Sequence, residues 1–493
     1  MNKKFIITIA VSVALIVGSC KKFLTINPQF EFTSTIATSS LDGLSKTTIG
    51  EFNQLQSTNL YGGGIIANSE LLADFVYADP ISDFSLNQLR TRQMNSINAQ
   101  AGGLWGDAYR AIYIANVVLQ YAPSFYSQNP SQVQLIRGES FFVRGIMHFE
   151  LLRMFAQPSG FTNNDSHLGI PIVLTPGTIS SGQNTPRSTV AQCYAQIESD
   201  LDSAYALLPA SPQTIASQAA AAAFLTRVYF TQHQYSNALT WANIVINTPG
   251  LALNPTDSAI YSASGSASGT GFTPETVFQQ ITYAGSTGLA GTSSQTQQDI
   301  NNGTLIGDFY ATSTIHPTFR CNTNTGSLFD QSYVADSAAG GHRWNELFGY
   351  ATIGLPPELI RHLYTKKYGN GSLYMNVTVI RLAEMILTRA ECNERLGASD
   401  ATVRADLNLI RVRAGLLPDN TSTSPALLNE IWAERDYELA FEGDRFYEIK
   451  RRQITFNSPE SGQQFSWNSS QLLYPIPIQE VQENKNMIQN PGY

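Results

Sequence analysis

The chain has 493 residues, a formal net charge of −8, and only 14% charged residues beside 43% hydrophobic ones. That length supplies a large core, and the acidic balance excludes nucleic acid, which demands a basic face. Four cysteines are too few for a disulfide framework, while 22 Tyr and 25 Phe among many uncharged polar residues suit a neutral, hydroxylated partner.

The N-terminus carries Lys3 and Lys4, then an almost wholly apolar run from Phe5 to Val17, then Val17-Gly18-Ser19-Cys20. A run this short is a signal-peptide core and not a bilayer-spanning helix, which takes about 20 residues. Small residues directly before a cysteine suit cleavage by a lipoprotein signal peptidase. Residues 1–19 therefore read as a signal peptide, Cys20 as the lipidated residue, and 20–37 as a polar tether containing Pro28. No later stretch is long and apolar enough to cross a membrane.

Helical periodicity governs 38–254. Trp105, Tyr109, Ile112, Ala115 and Leu119 recur at spacings of three and four, as do Phe142, Ile146, Phe149 and Leu152. The turn-forming stretch Pro123 to Pro130 joins these two helices. A second pair is expected from Ser217 to Thr231 and from Tyr235 to Asn247, with Ala219 to Ala223 allowing close helix approach. Its pattern is similar to a tetratricopeptide unit. Residues 255–378 are rich in Gly, Ser and Thr and read as a loop-rich excursion with short strands such as Thr276 to Tyr283. Residues 379–493 return to helices, from Val379 to Leu396 and from Thr402 to Ala414. Lys450-Arg451-Arg452 reads as a helix C-terminus meeting its dipole. The fold class is mainly α: tetratricopeptide-like helical pairs packed against an irregular part with a few short strands.

Ordered segments along the chain resemble one family. Cys20-Lys21-Lys22-Phe23-Leu24, Trp105-Gly106-Asp107-Ala108-Tyr109-Arg110, Gly138-Glu139-Ser140-Phe141-Phe142-Val143-Arg144-Gly145 and Gly169-Ile170-Pro171-Ile172 resemble SusD/RagB-type lipoproteins. So do Glu434-Arg435-Asp436-Tyr437-Glu438 with Phe441-Glu442-Gly443-Asp444-Arg445, Tyr474-Pro475-Ile476-Pro477, and Asn490-Pro491-Gly492-Tyr493. The resemblance implies a lipid-anchored protein at the outer membrane, facing the cell exterior, which binds oligosaccharide and delivers it to a SusC-like TonB-dependent transporter. It implies no cofactor.

The residues themselves leave two other readings open: a tetratricopeptide-like scaffold that holds a peptide or protein, and a surface glycoside hydrolase. Glu430, Glu434, Glu438 and Glu442 recur every four residues and predict one acidic helix face. Neighbours on one helix cannot flank a glycosidic bond from opposite sides, so a structural ion-pair network with Arg381, Arg435 or Arg445 is expected. No His-Glu-x-x-His, Gly-x-Ser-x-Gly or Walker motif occurs, and no catalytic or metal-ligating set is assigned. For ligand binding, rings that stack on sugar faces and polar groups that meet hydroxyls are sought together. Tyr77, Phe84, Asn87 and Arg92 offer that mixture in one segment, and Tyr283, Tyr310 and Trp344 offer rings in the excursion. Trp105 and Trp432 lie in periodic helices and are assigned to the core, and Cys193, Cys321 and Cys392 read as buried apolar side chains.

Overall fold

Side-chain caps set where the long helices begin. The computed structural model describes residues 37–177, 184–212, 215–264, 272–280, 319–330, 341–353, 360–368 and 376–493. Cys20, Tyr283 and Tyr310 lie outside them. The chain starts with α1 (Leu41–Leu55), α2 (Gly64–Leu72), β1 (Val76–Ala78) and α3 (Phe84–Thr91). The long hairpin α4 (Ala99–Tyr121) and α5 (Pro130–Phe155) follows. Asn98 caps α4 by accepting from the Gln100 and Ala101 amides, and Asn129 caps α5 ahead of Pro130, whose missing N–H costs nothing at a first turn. Next comes α6 (Val190–Leu207), opened by a Thr189/Gln192 capping box.

The α5–α6 seam is close because α5 carries glycines where α6 presses on it. A Cβ on Gly145 would lie 3.1 Å from Leu201 Cγ, and one on Gly138 would lie 2.9 Å from Leu207 Cβ. The second pair forms as expected, α7 (Gln218–Thr231) and α8 (Tyr235–Ile246). Ala219 to Ala223 are all buried, so the small side chains do bring backbones together.

The excursion contributes α9 (Ala259–Ser264), β2 (Thr276–Gln280), β3 (Phe319–Cys321), α10 (Arg343–Leu347), β4 (Phe348–Ile353) and β5 (Ile360–Thr365). Where the periodicity predicts helix from Val379, the chain is first a strand, β6 (Val377–Arg381), and then α11 (Leu382–Arg395). The run Val377-Thr378-Val379-Ile380 is β-branched at every position, and partnership with β2 outweighs the helical spacing. Then come α12 (Asp400–Arg413), α13 (Ala426–Leu439), α14 (Asp444–Arg451), the hairpin β7 (Phe456–Asn457) and β8 (Gln464–Phe465), and α15 (Ile478–Glu483). Lys450 and Arg451 do end a helix, as expected from the dipole.

The described strands pair two by two, all antiparallel: β1 with β3, β2 with β6, β4 with β5 and β7 with β8. Two of these pairs splice the excursion into the helical frame. Phe278 of β2 meets Phe142 of α5 and Phe224 of α7 edge-on, at 5.2 and 5.7 Å between ring centroids. The C-terminal segment closes the other end of α5. Tyr474 N donates to Met154 O at 2.9 Å, and Asn490 Nδ2 donates to Phe155 O and Tyr474 O, both at 2.8 Å. Arg187 binds Asn490 Oδ1 at 2.8 Å.

The acidic face is not one helix. α13 stops at Leu439, and Phe441 and Gly443, at φ 65° and 81°, turn the chain so that Glu442 lies beyond the helix. Glu430 is exposed, whereas Glu434 and Glu438 are buried. Trp432 is half-buried between the guanidinium groups of Arg395 and Arg452, not in the apolar core, while Trp105 is buried as expected. Cys193, Cys321 and Cys392 are buried, and burial pushes the Cys193 thiol up to about 11.

Candidate ligand-binding surface

α3 is placed by its own ends. Asp83 caps it, accepting from Leu86 N at 2.8 Å, and the helix stops at Arg92 in the left-handed region at φ 56°. Asn98 ties α3 to α4: its Nδ2 donates to Ser85 O at 3.0 Å and to Gln88 Oε1 at 2.8 Å. The neighbours of these two tied residues, Phe84 and Ile97, are 66% and 67% exposed. Phe84 and Ile97 thus present apolar side chains to solvent where α3 meets α4.

β1 supplies the second part. Tyr77 pairs in register with Arg320 of β3, whose guanidinium sits 4.8 Å from the Tyr77 ring centroid. Arg320 forms an ion pair with Asp79 at 2.5 Å and contacts His362 of β5. Its own side chain is only 6% exposed, but that of Asp79 is 63% exposed. A ring, a fixed cation, an open carboxylate and an imidazole thus gather from three segments far apart in sequence. Asn87 Oδ1 accepts from Arg90 Nε at 2.9 Å and from Ile81 N at 3.3 Å, holding the loop between β1 and α3.

Arg92 requires a correction, because it faces inward. Its Nη2 donates to Ala73 O at 2.6 Å and to Leu72 O at 3.2 Å, and its Nη1 to Ser458 Oγ at 3.1 Å and to Glu460 at 3.2 Å. The guanidinium lies between the Phe456 and Phe465 rings at 5.5 and 5.4 Å, with the side chain fully buried. It pins α3 to the β7–β8 hairpin. Trp344 stacks on Phe348 at 5.5 Å and 20° and packs half-buried against the core. Arg320 and His362 carry no sequence signal of their own; the β1–β3 pairing brings Arg320 to Tyr77, and His362 joins through Arg320.

The buried acids are committed elsewhere. Glu434 and Glu438 receive Arg343 at 2.5 and 2.6 Å, and Arg381 binds Glu275 at 3.0 Å and Glu442 at 2.7 Å. Arg381 and Arg413 both also reach Glu438, and Lys367 donates to Glu442 at 2.6 Å. Despite desolvation, Arg381 and Lys367 hold the Glu442 carboxyl down at about 2. Of the cations expected, only Arg381 joins this network. Arg435 instead binds Asp444 at 2.6 Å, and Arg445 binds Asp74 at 2.7 Å. A neighbouring internal cavity of about 50 Å³, lined in part by Glu442 and Arg435, has room for a water or two and not for a sugar. Among the described residues no set of three His, Cys, Asp or Glu side chains is placed to hold a metal.

The overall fold recurs in known proteins. Residues 39–230 match a family described as "Starch-binding associating with outer membrane", and residues 309–493 match the SusD family. The chain belongs to the SusD/RagB family. SusD-like protein P2 of Formosa agariphila is 26% identical over 438 residues, covering 81% of this chain and 82% of that one. A SusD superfamily protein of Bacteroides thetaiotaomicron superposes with a TM-score of 0.77 at 23% identity, over 92% of this chain and 100% of its own. A laminarin-binding SusD-like protein does so at 0.70 and 21% identity, over 92% and 99%.

Proposed function

We propose that this protein captures oligosaccharide at the bacterial outer membrane, without cleaving it, and passes it to a SusC-like TonB-dependent transporter. Cys20 is its lipid anchor, and the bound face is turned to the cell exterior. The segment from Tyr77 to Phe84 carries the reading: the open Asp79 carboxylate, held by Arg320 beside the half-buried Tyr77 ring, offers bonds to hydroxyls, and the exposed Phe84 ring farther along the same segment offers a face for a sugar's C–H groups. Support comes from the starch-binding, outer-membrane description of the matching family and from the laminarin-binding structural neighbour. Of the glutamates a hydrolase reading would draw on, Glu434, Glu438 and Glu442 are paired with buried arginines, which favours binding over cleavage. Tyr283 and Tyr310 are proposed as further stacking rings, with Trp344 in a supporting position.

Titration of the purified protein with maltooligosaccharides and laminarin oligosaccharides tests the reading. Saturable binding weakened by Phe84→Ala is expected, with no reducing sugar released on prolonged incubation. A protein that binds no glycan but retains a peptide would instead be the scaffold. Co-purification of a TonB-dependent transporter from membranes tests the delivery step.

A further inference from the structure

Beyond Tyr77 the β1–β3 ribbon opens. Asn322 N donates to Phe75 O at 2.7 Å, and past that bond the two chains part to border a cleft of about 570 Å³. The loop after β3 forms one wall and the β7–β8 hairpin the other. The volume lies in the range of small-ligand sites.

The floor of this cleft is charged but balanced. Arg445 binds Asp74 through two bonds, at 2.7 and 2.9 Å, and Asp436 at 3.1 Å, while Arg452 approaches Asp436 at 3.5 Å. Two lining carboxylates thus meet one lining guanidinium, and Arg452, outside the lining, adds a second positive charge beside Asp436. Such a floor is dense in donors and acceptors yet close to neutral, so it favours neither phosphate nor a lone cation. The wall is already ordered. Asn324 Nδ2 donates across the mouth to Pro459 O at 2.9 Å, and Asn322 Nδ2 donates to Asp74 O at 2.8 Å. A ligand that enters meets polar groups whose positions need no further ordering. The two rings in the lining, Phe75 and Phe456, are 4% and 5% exposed, so the cleft offers hydrogen bonds and no stacking face. Its hairpin wall also joins the strand that bears Tyr77: Glu460 accepts from Ala78 N at 3.4 Å.

We propose that this cleft is a second subsite that takes hydroxyl-rich units of a neutral oligosaccharide whose other end rests on the Tyr77–Phe84 surface. The proposal depends on the glycan reading given above. Short glycans would then occupy the ring-bearing surface alone, and longer ones would engage both.

The test is calorimetric titration of the purified protein with maltooligosaccharides and laminarin oligosaccharides from disaccharide to octasaccharide. Two cleft-filling variants are compared, Thr325→Trp on one wall and Asn457→Trp on the other, both at exposed positions. For each, the longer oligosaccharides are expected to lose about tenfold in affinity, a clear step on the scale of binding free energies, while the shorter ones are unchanged. Phe84→Ala is expected to weaken both lengths. Equal affinity of wild type and both cleft variants at every length, with Phe84→Ala still impaired, overturns the second subsite alone. Absence of glycan binding by the wild-type protein, or indifference to Phe84→Ala, overturns the glycan reading and this proposal with it.

Discussion

Replacing Arg92 with Met removes one buried cation and leaves several groups stranded. Glu460, whose side chain is 5% exposed, loses its ion-pair partner and keeps only Ser458 Oγ at 2.9 Å and Ala78 N at 3.4 Å. The carbonyls of Leu72 and Ala73 lose donors at 3.2 and 2.6 Å. Breaking a buried pair by removing one partner costs about 3–5 kcal/mol, because the remaining charge stays uncompensated. The methionine retains part of the packing between Phe456 and Phe465, so the lower half of that range is expected. Equilibrium denaturation in urea measures the loss. Hydrogen exchange should locate it in residues 456–465 and in the backbone of α3. The double variant Arg92→Met/Glu460→Gln neutralises the stranded charge and should recover on the order of 1–3 kcal/mol. A loss below about 1 kcal/mol for the single variant, or a double variant no more stable than the single one, would refute the clamp.

Two buried groups should tilt stability with pH in opposite senses. Burial raises the Glu70 carboxyl to about 8, so the folded protein holds a proton that the unfolded chain releases near its ordinary carboxylate value. Stability from Glu70 is therefore full at low pH and falls as pH climbs toward 8, and Glu70→Gln should flatten that slope in pH-dependent urea titrations. Burial lowers Lys450 to about 7, so between pH 7 and the ordinary lysine value the unfolded chain binds the extra proton and stability rises with pH; Lys450→Met should abolish this rise. Gly145→Val places branched carbon against Leu201 and should cost about 1–3 kcal/mol, read as a lowered urea midpoint at unchanged slope. Phe84→Ala, at an exposed position, should leave stability within about 0.5 kcal/mol, whereas Trp344→Ala should cost about 1–3 kcal/mol by removing the stack on Phe348; calorimetric melting compares the two.

Helices with strong caps and a clear apolar stripe were legible from residues alone. Asn98, Asn129 and Ser217 stand at the N-termini of helices read in this way, and their side chains accept from the first turn, whereas α6, capped by Thr189, was not read as a helix. The stretch from Val379 misleads because its helical spacing coincides with a β-branched run, and only β2, a hundred residues earlier in the chain, decides between them. Glu442 misleads for a local reason: a spacing of four says nothing about a helix that ends three residues sooner, at a turn needing φ > 0. The proposed binding segment was read from composition alone, which places Tyr77, Phe84 and Asn87 together. Composition could not tell which polar groups point outward, so Arg92 entered with them although its guanidinium belongs to the interior. Arg320 and His362 were illegible for the converse reason: strand pairing across more than two hundred residues sets Arg320 beside Tyr77, and His362 of β5 reaches the site only through its contact with Arg320.

The seal at the end of α5 has a consequence for the order of folding. Met154 and Phe155 present their carbonyls early in the chain, yet the groups that satisfy them belong to Tyr474 and Asn490, more than three hundred residues later. Contacts of such separation close large loops before they return any stabilisation, which slows the final step of folding. A nascent N-terminal half can form the α4–α5 hairpin, but the edge of that hairpin around Phe155, normally in contact with Trp105 and Tyr474, stays unfinished. A late stretch of the chain is thus the latch on an early helix, and the end of α5 stays open until Tyr474 and Asn490 arrive.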